Sequence, residues 1–189
     1  FTKRSEDVGP LAISRILNNF FDRMTKIIYK FEGTVDKFIG DAIMVIFGAP
    51  KAINTKIQVR NALLCAIEMQ KEIEKLNSEW HGQRIGNFKM RIGLHKGSGI
   101  VGSFGGELRS EYTVIGPVVN MASRIEKSAS PGEIFFSPSI RDSVGNTGWT
   151  KVGKFDLRGI GEVMLFKVDS DAFEKEDGNL NNPDKENVA

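Results

Sequence analysis

The sequence contains 189 residues, of which 40% are hydrophobic and 26% charged, and its 26 basic and 24 acidic residues leave a formal net charge of +2. This length and composition are typical of one globular domain with a substantial core. The near balance of charge argues against a nucleic-acid-binding protein that depends on bulk positive charge, but it is compatible with a local basic site for a polyphosphate. The one cysteine, Cys65, excludes an internal disulfide and is predicted to be a small core residue in a reducing compartment.

No stretch approaches eighteen consecutive apolar residues, so the sequence predicts no membrane-spanning helix, and no signal peptide is recognisable. We expect this domain to lie in the cytoplasm, as part of a parent protein that is either soluble or attached to a membrane. The chain opens at Phe1 rather than at Met, which leads us to expect a parent protein that continues upstream.

Two long helices with a hairpin between them are predicted for the first half of the chain. Apolar residues recur at three- and four-residue steps over 11–30 and again over about 55–80, which is the period of a helix with one buried face. Between the helices, "TVDKFIGDAIMVIFG" (34–48) contains two apolar strands on either side of Gly40-Asp41. This dipeptide is typical of a two-residue hairpin turn.

Short strands alternate with helices in the second half. The predicted elements are, in order, two strands with a Gly-rich connection in 88–106, a strand in 110–116, a helix over 117–130, a strand in "GEIFFSP", a short helix over 138–144 and a hairpin over 149–169. The mixture predicts an α+β fold, with a ferredoxin-like mixed sheet of βαββαβ type, helices mainly on one face and a C-terminal hairpin. Residues 1–169 would form this domain, and the polar segment 170–189 is predicted to be a disordered tail.

The apolar hairpin carries Lys37 near its tip and Asp41 in its turn. Taken alone, they are compatible with a solvated turn or with a functional site. Three later segments change this interpretation: "GLHKGSGIVGSFG" (93–105), "EYTVIGPVVNMASRIE" (111–126) and "FDLRGIGEV" (155–163). Together with the hairpin, and in this order, they resemble the catalytic domain of class III adenylyl/guanylyl cyclases over almost the whole chain to about residue 169.

The resemblance implies a reaction in which the ribose 3′-hydroxyl of ATP attacks the α-phosphate of the same nucleotide and pyrophosphate leaves. Two divalent cations, magnesium or manganese, would lower the pKa of the hydroxyl, and Asp41 would be one of their carboxylate ligands. The family's other metal carboxylate is the Asp of an Asp-Ile-x-Gly-Phe-Thr segment. Phe1 and Thr2 resemble the last two residues of that segment. We therefore expect the first strand and its Asp to lie upstream of Phe1. Without them, the chain is expected to turn over little ATP. Phe1 and Thr2 would face the triphosphate through their backbone N–H groups.

Lys37 and Thr113 carry the implied choice of base. Adenine-specific members of the family have a Lys at the first position, where it donates to a ring nitrogen, and Asp or Thr at the second. Guanine-specific members tend to have Glu at the first position. The pair therefore implies ATP, although a β-branched Thr is also an ordinary strand residue. Thr113 and Pro117 resemble the residues found at these positions in the class IIIb subgroup, which includes bicarbonate-stimulated soluble cyclases. The resemblance therefore makes bicarbonate a candidate regulator.

Phosphate and ribose contacts are implied for four further residues. Asn120 and Arg124 lie one helical turn apart and so share a face, from which they would contact the ribose and the α-phosphate; apart from the resemblance, they form an ordinary polar helix face. Arg158 matches a position that contacts the terminal phosphates, and Arg109 is a candidate second phosphate contact. His95, in a Gly-x-His-x-Gly segment, is interpreted as structural.

Family members pair head to tail, and each site takes its metal carboxylates from one chain and its base and transition-state residues from the other. Because this chain has both sets, the resemblance implies a homodimer with two equivalent sites. Lys37 and Asp41 would then serve opposite sites. An upstream regulatory domain is also expected in the parent protein.

Two other functions stay open at this point. A nucleotide-binding regulatory domain of the same fold would bind ATP with little turnover. An unrelated ferredoxin-like module that binds RNA would need exposed aromatic residues on its sheet beside basic residues, but Phe135 and Phe136 are adjacent in a strand and so alternate faces. A diguanylate cyclase is disfavoured because no Gly-Gly-Asp/Glu-Glu-Phe segment occurs.

Overall fold

The computed structural model describes residues 9–81, 87–145 and 148–180 of the chain. The described residues belong to two compact units: the first lies within Phe1–Met90 and Gly99–Gly116, and the second within Arg91–Ser98 and Pro117–Ala189. In this described part of the chain, no helix is long and apolar enough to cross a lipid bilayer.

Helices and strands are mixed along the chain, which confirms the predicted α+β class. The elements are, in chain order, α1 (Pro10–Lys30), β1 (Gly33–Ile39), β2 (Ala42–Phe47), α2 (Thr55–Trp80), β3 (Ile92–Leu94), β4 (Ile100–Gly106), β5 (Arg109–Ile115), α3 (Pro117–Ser128), β6 (Ile134–Phe136), α4 (Pro138–Arg141), β7 (Trp149–Leu157), β8 (Gly161–Val168) and α5 (Ser170–Leu180).

The first unit is built on the two long helices. Their apolar faces are buried, and Met24 and Ile28 of α1 are fully shielded from solvent. At the edge of this packing, the Arg23 guanidinium contacts two carboxylates of α2, Glu72 at 2.8 Å and Glu79 at 2.6 Å. Both helices occur where the three- and four-residue apolar period predicted them.

The predicted hairpin is present in the same unit. Strands β1 and β2 pair antiparallel around the Gly40-Asp41 turn, and Gly40 has φ +64°, a left-handed conformation that glycine adopts without strain. The ring of Phe38 on β1 lies 4.3 Å from that of Phe21 on α1, which ties the hairpin to the first helix. Strands β4 and β5 form a second antiparallel ribbon in this unit.

The second unit contains a four-stranded mixed sheet in the order β3-β6-β8-β7. Strands β3 and β6 run parallel, whereas β8 pairs antiparallel with both β6 and β7, so the mixed sheet and the C-terminal hairpin are both confirmed. Helix α3 approaches β3 at Gly93, where an added Cβ would lie 2.2 Å from the backbone nitrogen of Glu126. The core below this helix consists of Ile125, Ala129, Phe135, Leu157 and Leu165.

Two findings in this unit bear on the sequence-based expectations. Phe135 and Phe136 are both buried, so neither offers a stacking surface for RNA bases.

The segment from Ser170, predicted to be disordered, instead continues as α5 to Leu180. Two contacts support this helix: Phe173 is buried by tertiary packing, and the Asp169 carboxylate accepts a hydrogen bond from the backbone N–H of Ala172 at 3.1 Å. The rest of that tail, 181–189, lies outside the described residues.

Candidate active site

A β-bulge in β1 sets the geometry around Lys37. Val35 pairs with Val45 and Lys37 pairs with Met44, so Asp36 has no partner across the hairpin. In a regular strand, adjacent side chains point to opposite faces, but a bulge re-aims the side chains beside it. This irregularity allows both Asp36 and Lys37 to contact residues of β5.

Asp36 joins the two residues predicted to contact the base. The Thr113 hydroxyl donates a 2.9 Å hydrogen bond to Asp36 Oδ2, and Lys37 Nζ lies 3.7 Å from the same oxygen. Thr113 is buried, the Asp36 side chain has no exposed surface, and 37% of the Lys37 side chain remains exposed. The structure therefore brings Lys37 and Thr113 together, while their contact with a nucleotide base stays a prediction.

Charged neighbours on β5 extend this cluster. Lys37 Nζ donates to Glu111 Oε2 at 3.1 Å, and Arg109 forms an ion pair with the other oxygen of Glu111. The hydrogen bond to Glu111 raises the pKa of Lys37, and the negative charge of Asp36 adds to this effect. Hydrogen bonds from Lys37 and then Arg109 lower the pKa of Glu111. At neutral pH, Lys37 is therefore a protonated hydrogen-bond donor.

Asp41, the predicted metal ligand, lies in the exposed turn of the β1–β2 hairpin. Within residues 9–81, 87–145 and 148–180, no three or more His, Cys, Asp or Glu side chains form a group that could hold a metal ion. Phe1 and Thr2, predicted to face the triphosphate, lie outside the described residues. Asp41 thus presents one solvent-accessible carboxylate.

The remaining predicted residues belong to the second unit. Asn120 is exposed and Arg124 half-buried on α3, one turn apart, and Arg158 is exposed in the β7–β8 turn next to Gly159, whose φ is +76°. No hydrogen bond or ion pair joins these three side chains in the described part of this unit. The Ser128 hydroxyl donates to the backbone carbonyl of Arg124 at 2.9 Å.

His95 has the surroundings of a structural residue, as its sequence context indicated. Its Nδ1 lies 2.8 Å from the hydroxyl of Ser137, which is buried. Burial lowers the pKa of His95, so the ring is neutral near pH 7. The contact ties the end of β3 to the start of α4.

Sequence reasoning missed Asp36 and Glu111 as members of the site. The Asp36 side chain is fully buried and faces Thr113 and Lys37, so it is not open to a metal in solvent. Glu111 attracted no attention, because an exposed carboxylate in a strand is ordinary. The one available signal was the presence of two adjacent charged residues, Asp36 and Lys37, in an otherwise largely apolar hairpin.

Comparison with known proteins identifies the fold and the family. Residues 1–170 match the family described as adenylate and guanylate cyclase catalytic domain. An adenylate cyclase of Anabaena cylindrica is 39% identical over 130 residues, which is 67% of this chain and 24% of that protein. This chain therefore spans about a quarter of that relative's length.

Two solved structures are similar over most of the chain. The adenylyl cyclase CyaB from P. aeruginosa superposes with a TM-score of 0.85 at 34% identity, covering 88% of this chain and 87% of that one. The guanylyl cyclase Cya2 superposes with a TM-score of 0.81 at 32% identity, covering 89% and 85%. The chain thus belongs to the family of adenylate and guanylate cyclase catalytic domains.

Proposed function

We propose that this domain is an adenylate cyclase, which converts ATP to cyclic AMP and pyrophosphate. Its similar structures include both an adenylyl and a guanylyl cyclase, so family membership leaves the nucleotide open. The observation that supports ATP is the cluster of Lys37 and Thr113 around Asp36. In this proposal, a protonated Lys37 would donate to the unprotonated ring nitrogen N1 of adenine, and the Thr113 oxygen would accept a hydrogen bond from the exocyclic amino group.

The residues of α3 would act on the reacting atoms. Asn120 would orient the ribose, and the Arg124 guanidinium would bind the α-phosphate, whose negative charge grows in the transition state. Arg158 is exposed at a tight turn and would bind the terminal phosphates. Arg109 would contribute a second phosphate contact only by giving up its ion pair with Glu111.

Asp41 fits a cation of the magnesium type. Its carboxylate is a hard oxygen donor in an exposed turn, and magnesium is usually held by one or two carboxylates together with substrate phosphates. When bound, two divalent cations would favour deprotonation of the 3′-hydroxyl and neutralise charge on the triphosphate. The role of Asp41 itself is to fix the position of the ions.

We further propose that two copies pair head to tail. The chain carries both the carboxylate Asp41 and the residues Lys37, Thr113, Asn120 and Arg124, so two identical copies can form two equivalent sites. Each site would combine Asp41 of one copy with the base and ribose residues of the other. Thr113 and Pro117 resemble the corresponding residues of the class IIIb subgroup, so we also propose bicarbonate as an activator. The test is the rate of cyclic AMP formation with and without bicarbonate at fixed pH.

The experiment is a product assay on the full-length protein with ATP and magnesium or manganese. Wild type should release cyclic AMP and pyrophosphate in equal amounts, and Asp41→Ala and Arg124→Ala should each lower the rate on the order of a hundredfold or more. Arg15→Ala and Asp171→Ala make the same changes at exposed positions away from the site and should retain activity. Tight ATP binding without any product would instead identify a regulatory nucleotide-binding domain.

A further inference from the structure

The carboxylate of Asp36 has few partners for a buried charge. Its side chain has no exposed surface. Oδ2 accepts the Thr113 hydroxyl at 2.9 Å and lies 3.7 Å from Lys37 Nζ, while Oδ1 is buried with no hydrogen-bond partner among the described residues. Thr113 therefore supplies the one hydrogen bond of normal length that the described residues give this group.

This arrangement fixes the orientation of the Thr113 hydroxyl. A hydroxyl has one hydrogen to donate and two lone pairs that accept, whereas an ionised carboxylate only accepts. Rotation of the hydroxyl away from Asp36 would leave a buried charge without that hydrogen bond, which costs more than leaving a neutral acceptor unpaired. The hydrogen of Thr113 is thus committed to Asp36, and only its lone pairs remain for a ligand.

The neighbouring Lys37 has the opposite character, because an ammonium group donates and does not accept. The pair therefore presents one donor and one acceptor of fixed polarity. Adenine offers the complement, with an acceptor at N1 and a donor at the N6 amino group. Guanine offers a donor at N1 and an acceptor at O6, which opposes the pair at both positions.

We propose that Asp36 is a positioning residue that selects adenine over guanine by holding the Thr113 hydroxyl as an acceptor. The proposal rests on the proposed function, since it assumes that Lys37 and Thr113 contact the base. Asp36 itself does not touch the nucleotide. Without Asp36, the Thr113 hydroxyl is free to rotate and donate to O6 of guanine, so part of the discrimination is lost.

The test is a set of binding measurements on the full-length protein with α,β-methylene analogues of ATP and GTP, in which the bond broken in the reaction is blocked. Asp36→Leu removes both oxygens at similar size, and it should lower the preference for the ATP analogue about tenfold, the effect of one hydrogen bond. Asp22→Leu is the matched control, because it makes the same change at an exposed carboxylate of α1 that pairs with Lys26; it should leave the preference unchanged.

A double-mutant cycle shows whether Asp36 acts through Thr113. Thr113→Val removes the hydroxyl at constant shape, so Asp36→Leu added to it should cause no further loss of preference. An unchanged preference in Asp36→Leu, an equal loss in Asp22→Leu, or additive effects in the double variant would each overturn the proposal. If wild type itself prefers the GTP analogue, the proposed function fails instead.

A second arm uses wild-type protein only and so does not depend on the folding of Asp36→Leu. Purine riboside triphosphate lacks a group at position 6, and its 6-methoxy derivative places an acceptor oxygen there while N1 stays an acceptor. Affinity should fall in the order ATP, purine riboside triphosphate, 6-methoxypurine riboside triphosphate. A 6-methoxy derivative that binds at least as tightly as the unsubstituted compound would show that Thr113 can donate, and would contradict the proposal.

Discussion

Lys37 on β1 and Glu111 on β5 are 74 residues apart in the chain, yet Nζ of the first lies 3.1 Å from Oε2 of the second. This hydrogen bond is the largest cause of the raised pKa of Lys37 and of the lowered pKa of Glu111. Both groups therefore stay charged across the neutral range. The contact connects the hairpin to β5 beside Thr113.

The first prediction concerns the choice of base. Lys37→Glu combined with Thr113→Cys should erode the preference for ATP over GTP, because the donor becomes an acceptor and the hydroxyl is lost. Each hydrogen bond left unmade costs about 1–3 kcal/mol, so kcat/KM for ATP relative to GTP should fall by roughly tenfold or more. Lys51→Glu makes the same charge reversal at an exposed residue outside the cluster and should keep the ratio; a double variant with an undiminished ratio counts against the assignment.

The second prediction concerns sites shared between two copies. Asp41→Ala and Arg124→Ala proteins should each be inactive, yet a mixture that exchanges subunits should recover activity, because one site of the heterodimer keeps both residues. Random exchange gives about half heterodimers with one intact site each, so recovery near a quarter of wild-type activity is expected from two-fold symmetry. Demonstrated exchange without recovery would contradict shared sites.

The third prediction concerns the packing of the helix that carries Asn120 and Arg124. Gly93→Ala would place a Cβ 2.2 Å from the Glu126 nitrogen and 2.6 Å from the Ala122 carbonyl oxygen, so α3 must shift. We expect the free energy of unfolding in urea to fall by about 1–3 kcal/mol, with a loss of activity. Gly106→Ala is the control, since an added Cβ there meets no atom within 4 Å; equal effects of the two changes would argue against close helix–strand contact.

A fourth prediction concerns Cys65, which is buried on α2. Burial is the main reason that its pKa is raised to about 12, so at pH 8 only about one thiol in ten thousand is a thiolate, the reactive form. Iodoacetamide should not modify the native protein at pH 8 but should modify it in concentrated urea. Rapid labelling of the native protein, followed by mass spectrometry, would show that Cys65 is accessible.

Local periodicity was sufficient to predict much of the fold. The long helices α1 and α2 follow from recurring apolar residues, and the hairpin follows from a turn dipeptide between apolar strands. Helix α5 was not predictable in this way, because its segment is polar and Phe173 becomes buried only through tertiary packing. The period of a sequence reports local structure, and tertiary contacts override it.

In the candidate site, too, sequence motifs predicted individual residues but not the tertiary contacts between them. Lys37, Thr113, Asn120 and Arg124 were identified from motifs in the sequence, and the structure adds what links two of them. A bulge inserts one residue and leaves no periodic trace, so the position of Asp36 between Lys37 and Thr113 could not be read from the strand pattern. Its hydrogen bond joins residues 77 positions apart, a pairing that follows only from the fold.

The proposed activity of this domain is the formation of cyclic AMP from ATP. The most direct measurement supplies the full-length protein with ATP and GTP together, at equal concentration and with manganese, and separates the two cyclic products by chromatography. We expect cyclic AMP to exceed cyclic GTP by at least about tenfold, the discrimination that one correctly paired hydrogen bond supplies. Equal amounts of the two products, or an excess of cyclic GTP, would contradict it.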